Sequence, residues 1–268
     1  MTTKKERVTV NGATLAAKVS GAGDKPWIVL SNSLGTTADM WSPQMSLLKS
    51  ERRVLRYDTR GHGCSSAPES PYGFDDLVGD LVGLMDHFGI ETADIMGLSL
   101  GGMTALGVGL DHPDRVNRII CADARADAPA GFREGWDQRI EAVRHGGIKR
   151  LVEGTMDRWF TPAFRENDPT AVERATDMLL VTASEGYIGC AHALKELDYL
   201  KRLGDMIPPV MYIVGSEDSG APPETMRAMA DATPVSRFVE IPHAAHIANI
   251  EKPREFNAAI ADWLDIAR

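Results

Sequence analysis

The ten residues Ala93-Asp94-Ile95-Met96-Gly97-Leu98-Ser99-Leu100-Gly101-Gly102 constrain the fold more than any other stretch of this 268-residue chain. They read as a short buried strand, a Gly-x-Ser-x-Gly turn and the start of a helix carrying Met103, Leu106, Val108 and Leu110. That is the context of a nucleophile elbow, where a serine sits on a strand-to-helix turn so sharp that its backbone is strained and its hydroxyl projects outward. Glycine is needed at 97 and 101 because side chains there collide across the turn. A glycine-rich turn whose serine only caps a helix accounts for Ser99. It does not account for a strand and a helix arriving together on its two sides.

The rest of the chain reads as a setting for that turn. Arg7–Val10 and Ala13–Val19 are strand-like runs around Asn11-Gly12, a strong hairpin signal. Trp27-Ile28-Val29-Leu30 is continuously apolar, as in a sheet covered on both faces. Arg53–Tyr57 and Val116–Cys121 are further strands, and Phe74–Phe88 carries Leu77, Leu81, Leu84, Met85 and Phe88 at helical spacing. Strand and helix alternate, which implies a mainly parallel sheet joined by crossover helices. From Pro129 to Leu203 the alternation stops and only helical patterns remain. Strands resume at Pro209–Val214 and Arg237–Ile241, before an amphipathic helix over Glu255–Ile266. The expected architecture is therefore an α/β core of residues 1–127 and 204–268, with residues 128–203 inserted as a helical cap.

A formal charge of −9, with no Lys/Arg-rich run, argues against a nucleic-acid partner. It also repels an anionic substrate at long range, so such a substrate needs a local cation. Cys64, Cys121 and Cys190 are odd in number, widely spaced and without CxxC or Cys/His metal spacing, so reduced thiols and no metal are expected. The first residues carry charge with no apolar run after them, and no stretch has the length of a membrane span. The expectation is a cytoplasmic protein with no membrane partner.

A serine hydroxyl becomes a useful nucleophile when a neutral histidine takes its proton, and the histidine needs a carboxylate to fix its tautomer. In α/β-hydrolases these groups follow in the order Ser, acid, His. Asp218 stands just past the 210–214 strand and His246 just past the last one, at the strand ends where open α/β sheets keep their sites. Ser99, Asp218 and His246 are the expected triad. Glu217 and Asp123 compete for the acid, and His243 for the base. The backbone N–H groups of Leu100 and Leu34 are the expected donors to the oxyanion. His62, in a tight Gly-His-Gly turn, is expected to brace its loop through backbone bonds, and Cys64 to be a small loop filler.

Several segments resemble the 3-oxoadipate enol-lactonase family of the α/β-hydrolases. They are Ser31-Asn32-Ser33-Leu34-Gly35-Thr36, Tyr57-Asp58-Thr59-Arg60-Gly61-His62-Gly63-Cys64-Ser65 and the elbow itself. In the inserted lobe they are Glu134-Gly135-Trp136-Asp137-Gln138-Arg139-Ile140 and Arg158-Trp159-Phe160-Thr161-Pro162. The resemblance covers nearly the whole chain. It implies an α/β-hydrolase fold with a helical cap, a serine triad, no cofactor, and hydrolysis of a small unsaturated lactone bearing a carboxylate in aromatic-compound degradation. The charged segment Asp123-Ala124-Arg125-Ala126-Asp127 and the glycine after the acid, Gly220, depart from the family pattern. Trp136, Ile140 and Val143 share one helical face with Arg133 a turn earlier. Trp136 is expected as a pocket wall and Arg133 as the partner of a substrate carboxylate; Trp159 and Phe160 are expected in the cap's core. The alternatives are a broader carboxylesterase or lactonase, with perhydrolase side activity, and a non-catalytic receptor on the same fold.

Overall fold

The computed structural model describes residues 3–267. Strands β1 (Lys4–Val10) and β2 (Ala13–Ser20) form a hairpin whose turn residues Asn11 and Gly12 both have positive φ, 45° and 75°, as its two-residue turn requires. The first strand starts three residues before the expected Arg7. Its outer part is exposed, and backbone pairing to β2 from Lys4↔Val19 onward sets its length rather than apolar content.

The chain continues through β3 (Trp27–Ser31), α1 (Met45–Glu51), β4 (Arg53–Tyr57), α2 (Phe74–His87), β5 (Ala93–Leu98), α3 (Leu100–Asp111) and β6 (Val116–Ala122). Five helices then follow without a strand: α4 (Ala130–Gly146), α5 (Val152–Trp159), α6 (Pro162–Asn167), α7 (Pro169–Leu180) and α8 (Ser184–Lys195). After them come β7 (Val210–Gly215), α9 (Pro223–Ala232), β8 (Ser236–Ile241), α10 (Ala248–Glu251) and α11 (Pro253–Trp263). The last helix stops at Trp263, short of the expected Ile266, because Asp265 turns into the left-handed region at φ 55°.

The eight strands form one sheet in the order β1-β2-β4-β3-β5-β6-β7-β8, with only the β1–β2 and β2–β4 pairs antiparallel. Every residue of the central β5 is buried, which is why its sequence carries no alternation of apolar and polar residues. α3 is likewise buried from Leu100 to Gly109.

The helical stretch between β6 and β7 leaves and rejoins the core at one point. Asp127 and Asp198 form an isolated bridge, and the Tyr199 and Leu200 N–H groups both donate to the Ala126 carbonyl, at 2.7 and 2.8 Å. The stretch packs back onto the core through glycines. A methyl carbon on Gly61 would lie 2.1 Å from Gly186 Cα at the start of α8, so only glycine allows the two backbones to meet. The loop after β4 is anchored below by Arg60, which pairs with the buried Asp80 of α2 through two bonds of 2.7 Å. Among the described residues no helix is long and apolar enough to cross a membrane.

Candidate active site

Ser99 sits between β5 and α3 at φ 55°, ψ −118°, a conformation foreign to a residue with a side chain. The turn is closed by contact. A methyl carbon on Gly97 would lie 1.9 Å from the Gly101 carbonyl oxygen, and one on Gly101 2.1 Å from that of Ser31. The Ser99 N–H donates to the Ala122 carbonyl at 2.8 Å and the Met103 N–H returns to the Ser99 carbonyl at 2.9 Å. The hydroxyl is thus left at the carboxyl end of the sheet.

His246 Nε2 lies 3.0 Å from Ser99 Oγ, and His246 Nδ1 lies 2.8 Å from Asp218 Oδ2. An ionised carboxylate only accepts, so Nδ1–H donates to Asp218 and Nε2 accepts from the serine hydroxyl. Asp218 is held by its own loop: Oδ1 accepts the N–H groups of Gly220, at 2.7 Å, and Ala221, at 3.1 Å. The Gly220 N–H thus helps to fix the direction of the Asp218 carboxylate.

The competing residues make no hydrogen bond to Ser99 or His246 among the described residues, although Asp123 lines the same cavity. Asp123 is fully buried at the end of β6. Its Oδ1 accepts the Gly215 N–H at 2.8 Å, and its Oδ2 has no partner. Burial first, and then the charge of Asp218, push its pKa well above the usual carboxylate range. Glu217 and His243 face outward, with side chains 50% and 85% exposed.

Leu34 and Leu100 are buried, and Leu34 lines the cavity beside Ser33 and Ser99. Leu100 opens α3, where the N–H groups of the first turn have no carbonyl within the helix. This cavity has a volume of about 360 Å³ and reaches from Ser99 and His246 up to the helices of the inserted stretch. Met103, Phe132, Trp136, Trp159, Leu179 and Tyr187 make its apolar walls. Trp136 packs edge-on to Phe132 at 5.8 Å, and its buried Nε1–H has no partner. Phe160 and Trp159 are both in the buried core as expected, and Trp159 also lines the cavity.

Arg133 does not reach this space. It is exposed, and the residues of α4 that line the cavity are Gly131, Phe132, Gly135, Trp136 and Arg139. At about 100° per residue, Arg133 is rotated a quarter-turn or more from that face. Three other arginines line the cavity: Arg125, Arg139 and Arg158. Arg125 is paired to Asp127 at 3.3 Å. Arg139 stands over the Trp136 ring at 4.5 Å, and Arg158 donates to Thr155 Oγ1 at 3.1 Å. Neither has a carboxylate within 4 Å among the described residues. Burial first, and then the charge of Arg139, lower the pKa of Arg158. Two half-buried cations facing one cavity without a counter-ion make it receptive to an anion. The sequence signals were Arg139, three residues past Trp136, and Arg158 in the Arg-Trp-Phe-Thr segment; the helical phase that turns them inward was not legible. No group of three or more His, Cys, Asp or Glu side chains that could hold a metal ion occurs among the described residues.

Fold and site together define an α/β-hydrolase of the carboxylic ester hydrolase class. A model of the alpha/beta hydrolase fold matches residues 26–253. The chain is 35% identical to 3-oxoadipate enol-lactonase 2 of Acinetobacter baylyi over 96% of its own length and 95% of the relative's. It belongs to the 3-oxoadipate enol-lactonase family. The crystal structure of the enol-lactonase from Burkholderia xenovorans LB400 superposes with a TM-score of 0.94 at 37% identity, covering 97% of this chain and 100% of that one. A malate-bound thermophilic esterase from Thermogutta terrifontis gives 0.90 at 30% identity, covering 99% and 98%.

Proposed function

We propose that the protein hydrolyses a small lactone bearing a carboxylate through an acyl-enzyme on Ser99, with 3-oxoadipate enol-lactone as the substrate. Residues 128–203 act as the cap over the site. Ser99 Oγ attacks the lactone carbonyl as its proton passes to His246 Nε2, while Asp218 stabilises the imidazolium. The oxyanion is met by the N–H groups of Leu34 and Leu100. Collapse of the tetrahedral intermediate breaks the ring C–O bond, and His246 returns the proton to the leaving oxygen, giving an enol that tautomerises to a ketone. Water, deprotonated by His246, then attacks the acyl-enzyme and releases the second carboxylate.

The observation that carries this reading is the Asp218–His246–Ser99 chain, at 2.8 and 3.0 Å, opening into a cavity with two uncompensated arginines. Arg139 and Arg158 take the substrate carboxylate, and the unpartnered Trp136 Nε1–H is a further donor. A charge-assisted bond of this kind is worth about 1.5–3 kcal/mol. The names of the relatives support the same substrate class. The likeness to an esterase at 30% identity favours, as a second reading, a broader carboxylesterase.

The test is turnover of the purified protein on the enol-lactone, a saturated lactone and an uncharged aryl ester, with Ser99→Ala alongside. We expect the enol-lactone to lead, and Ser99→Ala to lose about four to six powers of ten in kcat while keeping its melting temperature. Leadership by the aryl ester would move the assignment to the second reading. Activity surviving in Ser99→Ala would remove Ser99 from the mechanism.

A further inference from the structure

His62 is fully buried, and both of its ring nitrogens are in use. Nδ1 lies 3.0 Å from the Arg60 carbonyl oxygen, which can only accept, so Nδ1 carries the hydrogen. Nε2 is then a bare acceptor, and it takes the Gly35 N–H at 2.9 Å. One neutral tautomer satisfies both bonds. Gly35 follows Leu34, so this bond fixes the peptide unit that ends the Leu34 residue.

Gly35 is a position that only glycine can fill. It stands at φ 81°, and a methyl carbon on it would lie 2.7 Å from Leu179 Cδ1 and 3.6 Å from the Trp159 ring. A second tie joins the same two loops, from the Ala38 N–H to Asp58 Oδ1 at 2.8 Å. Behind His62, the Arg60 backbone is held through the Arg60–Asp80 pair. A rigid path therefore runs from α2, through Arg60 and His62, to the loop that carries Leu34.

We propose that His62 is a positioning residue that aims the Leu34 N–H at the oxyanion of the transition state, acting through the Gly35 peptide. The inference rests on the reading of Leu34 as an oxyanion donor. Burial lowers the proton affinity of the imidazole, opposed first by its bond to the Arg60 carbonyl and then by the negative charge of Asp58, the charged side chain that acts on it. A protonated ring would point Nε2–H at the Gly35 N–H and release the loop.

Two substitutions separate the two nitrogens. His62→Asn keeps an amide N–H where Nδ1–H donates to Arg60 but offers Gly35 no acceptor. His62→Gln places an amide oxygen near the position of Nε2. A boronic acid, which forms a tetrahedral adduct with the serine, reports on the oxyanion hole; a simple carboxylate inhibitor reports only on the pocket. Losing one oxyanion donor outright costs about 100- to 1000-fold in kcat, so misplacing one is expected to cost about 10- to 100-fold. His62→Asn should lower kcat and boronate affinity by that factor, leave KM and carboxylate affinity within about threefold, and be largely rescued in His62→Gln. Equal losses of boronate and carboxylate affinity, or an unchanged kcat, would overturn the proposal. On the unsubstituted protein, ¹⁵N NMR of the imidazole reads the tautomer directly, and a hydrogen on Nε2 would overturn it without any variant. Failure of the unsubstituted protein to form a boronate adduct at all would instead bring down the reading of the site.

Discussion

Asp123 and Asp218 end neighbouring strands, β6 and β7, and differ in what donates to them. Asp218 receives two backbone N–H groups and the histidine, whereas Asp123 receives one N–H and leaves an oxygen unpartnered. The backbone thus favours a carboxylate at Asp218, while burial and the neighbouring Asp218 raise the pKa of Asp123. Asp218→Asn should lower kcat by about four powers of ten through the wrong histidine tautomer, whereas Asp123→Asn should leave kcat within about threefold. The reverse pattern in steady-state kinetics would exchange their roles. Asp123 also carries a stability prediction. Its folded pKa lies above the value of about 3.9 for an unfolded aspartate, so its contribution is fully present below that pH and is lost as pH rises toward the folded value. Asp123→Asn removes this loss and keeps the acceptor for Gly215. Its melting temperature should exceed the parent's by more at pH 7 than at pH 4; a gap that narrows with pH would mean that Asp123 is ionised in the fold. Both acids are visible in the sequence as residues just past a strand. What separates them is the direction of the Gly220 and Ala221 N–H groups, which residue identity does not specify.

At the scale of elements, apolar runs and glycine spacing located the strands, because full burial on both faces leaves its mark on every residue. They did not reveal α1 or α10, which at seven and four residues are too short to show a helical stripe. For α4 the helix was legible but its phase was not: the shared face of Trp136, Ile140 and Val143 suggested Arg133, while the cavity takes Arg139. The loop after β4 depends on an element it does not touch in sequence. Asp80 of α2 holds Arg60 at two points, and both side chains are buried. Asp80→Ala leaves that guanidinium without its main partner and should cost about 3–5 kcal/mol, read as the shift in a chemical denaturation midpoint. A shift below about 1 kcal/mol would show that Asp76, 3.3 Å from Arg60, suffices as the partner.

For the whole molecule, the break in strand–helix alternation after β6 pointed to the run of helices α4–α8, and the Gly-x-Ser-x-Gly turn between a strand and a helix pointed to the α/β-hydrolase fold. Net charge was informative in a different way. A chain of charge −9 that holds two half-buried arginines without a carboxylate partner over one cavity offers there the local cation that the proposed anionic substrate requires. That preference is the central claim, and kcat/KM for ring opening measures it most directly. The comparison is between the carboxylate-bearing enol-lactone and an analogue in which a primary amide replaces the carboxylate, at low ionic strength. One charge-assisted contact worth about 1.5–3 kcal/mol predicts about 10- to 150-fold in favour of the carboxylate, and Arg158→Ala should remove most of that ratio. An amide analogue opened as fast as the acid would contradict the account.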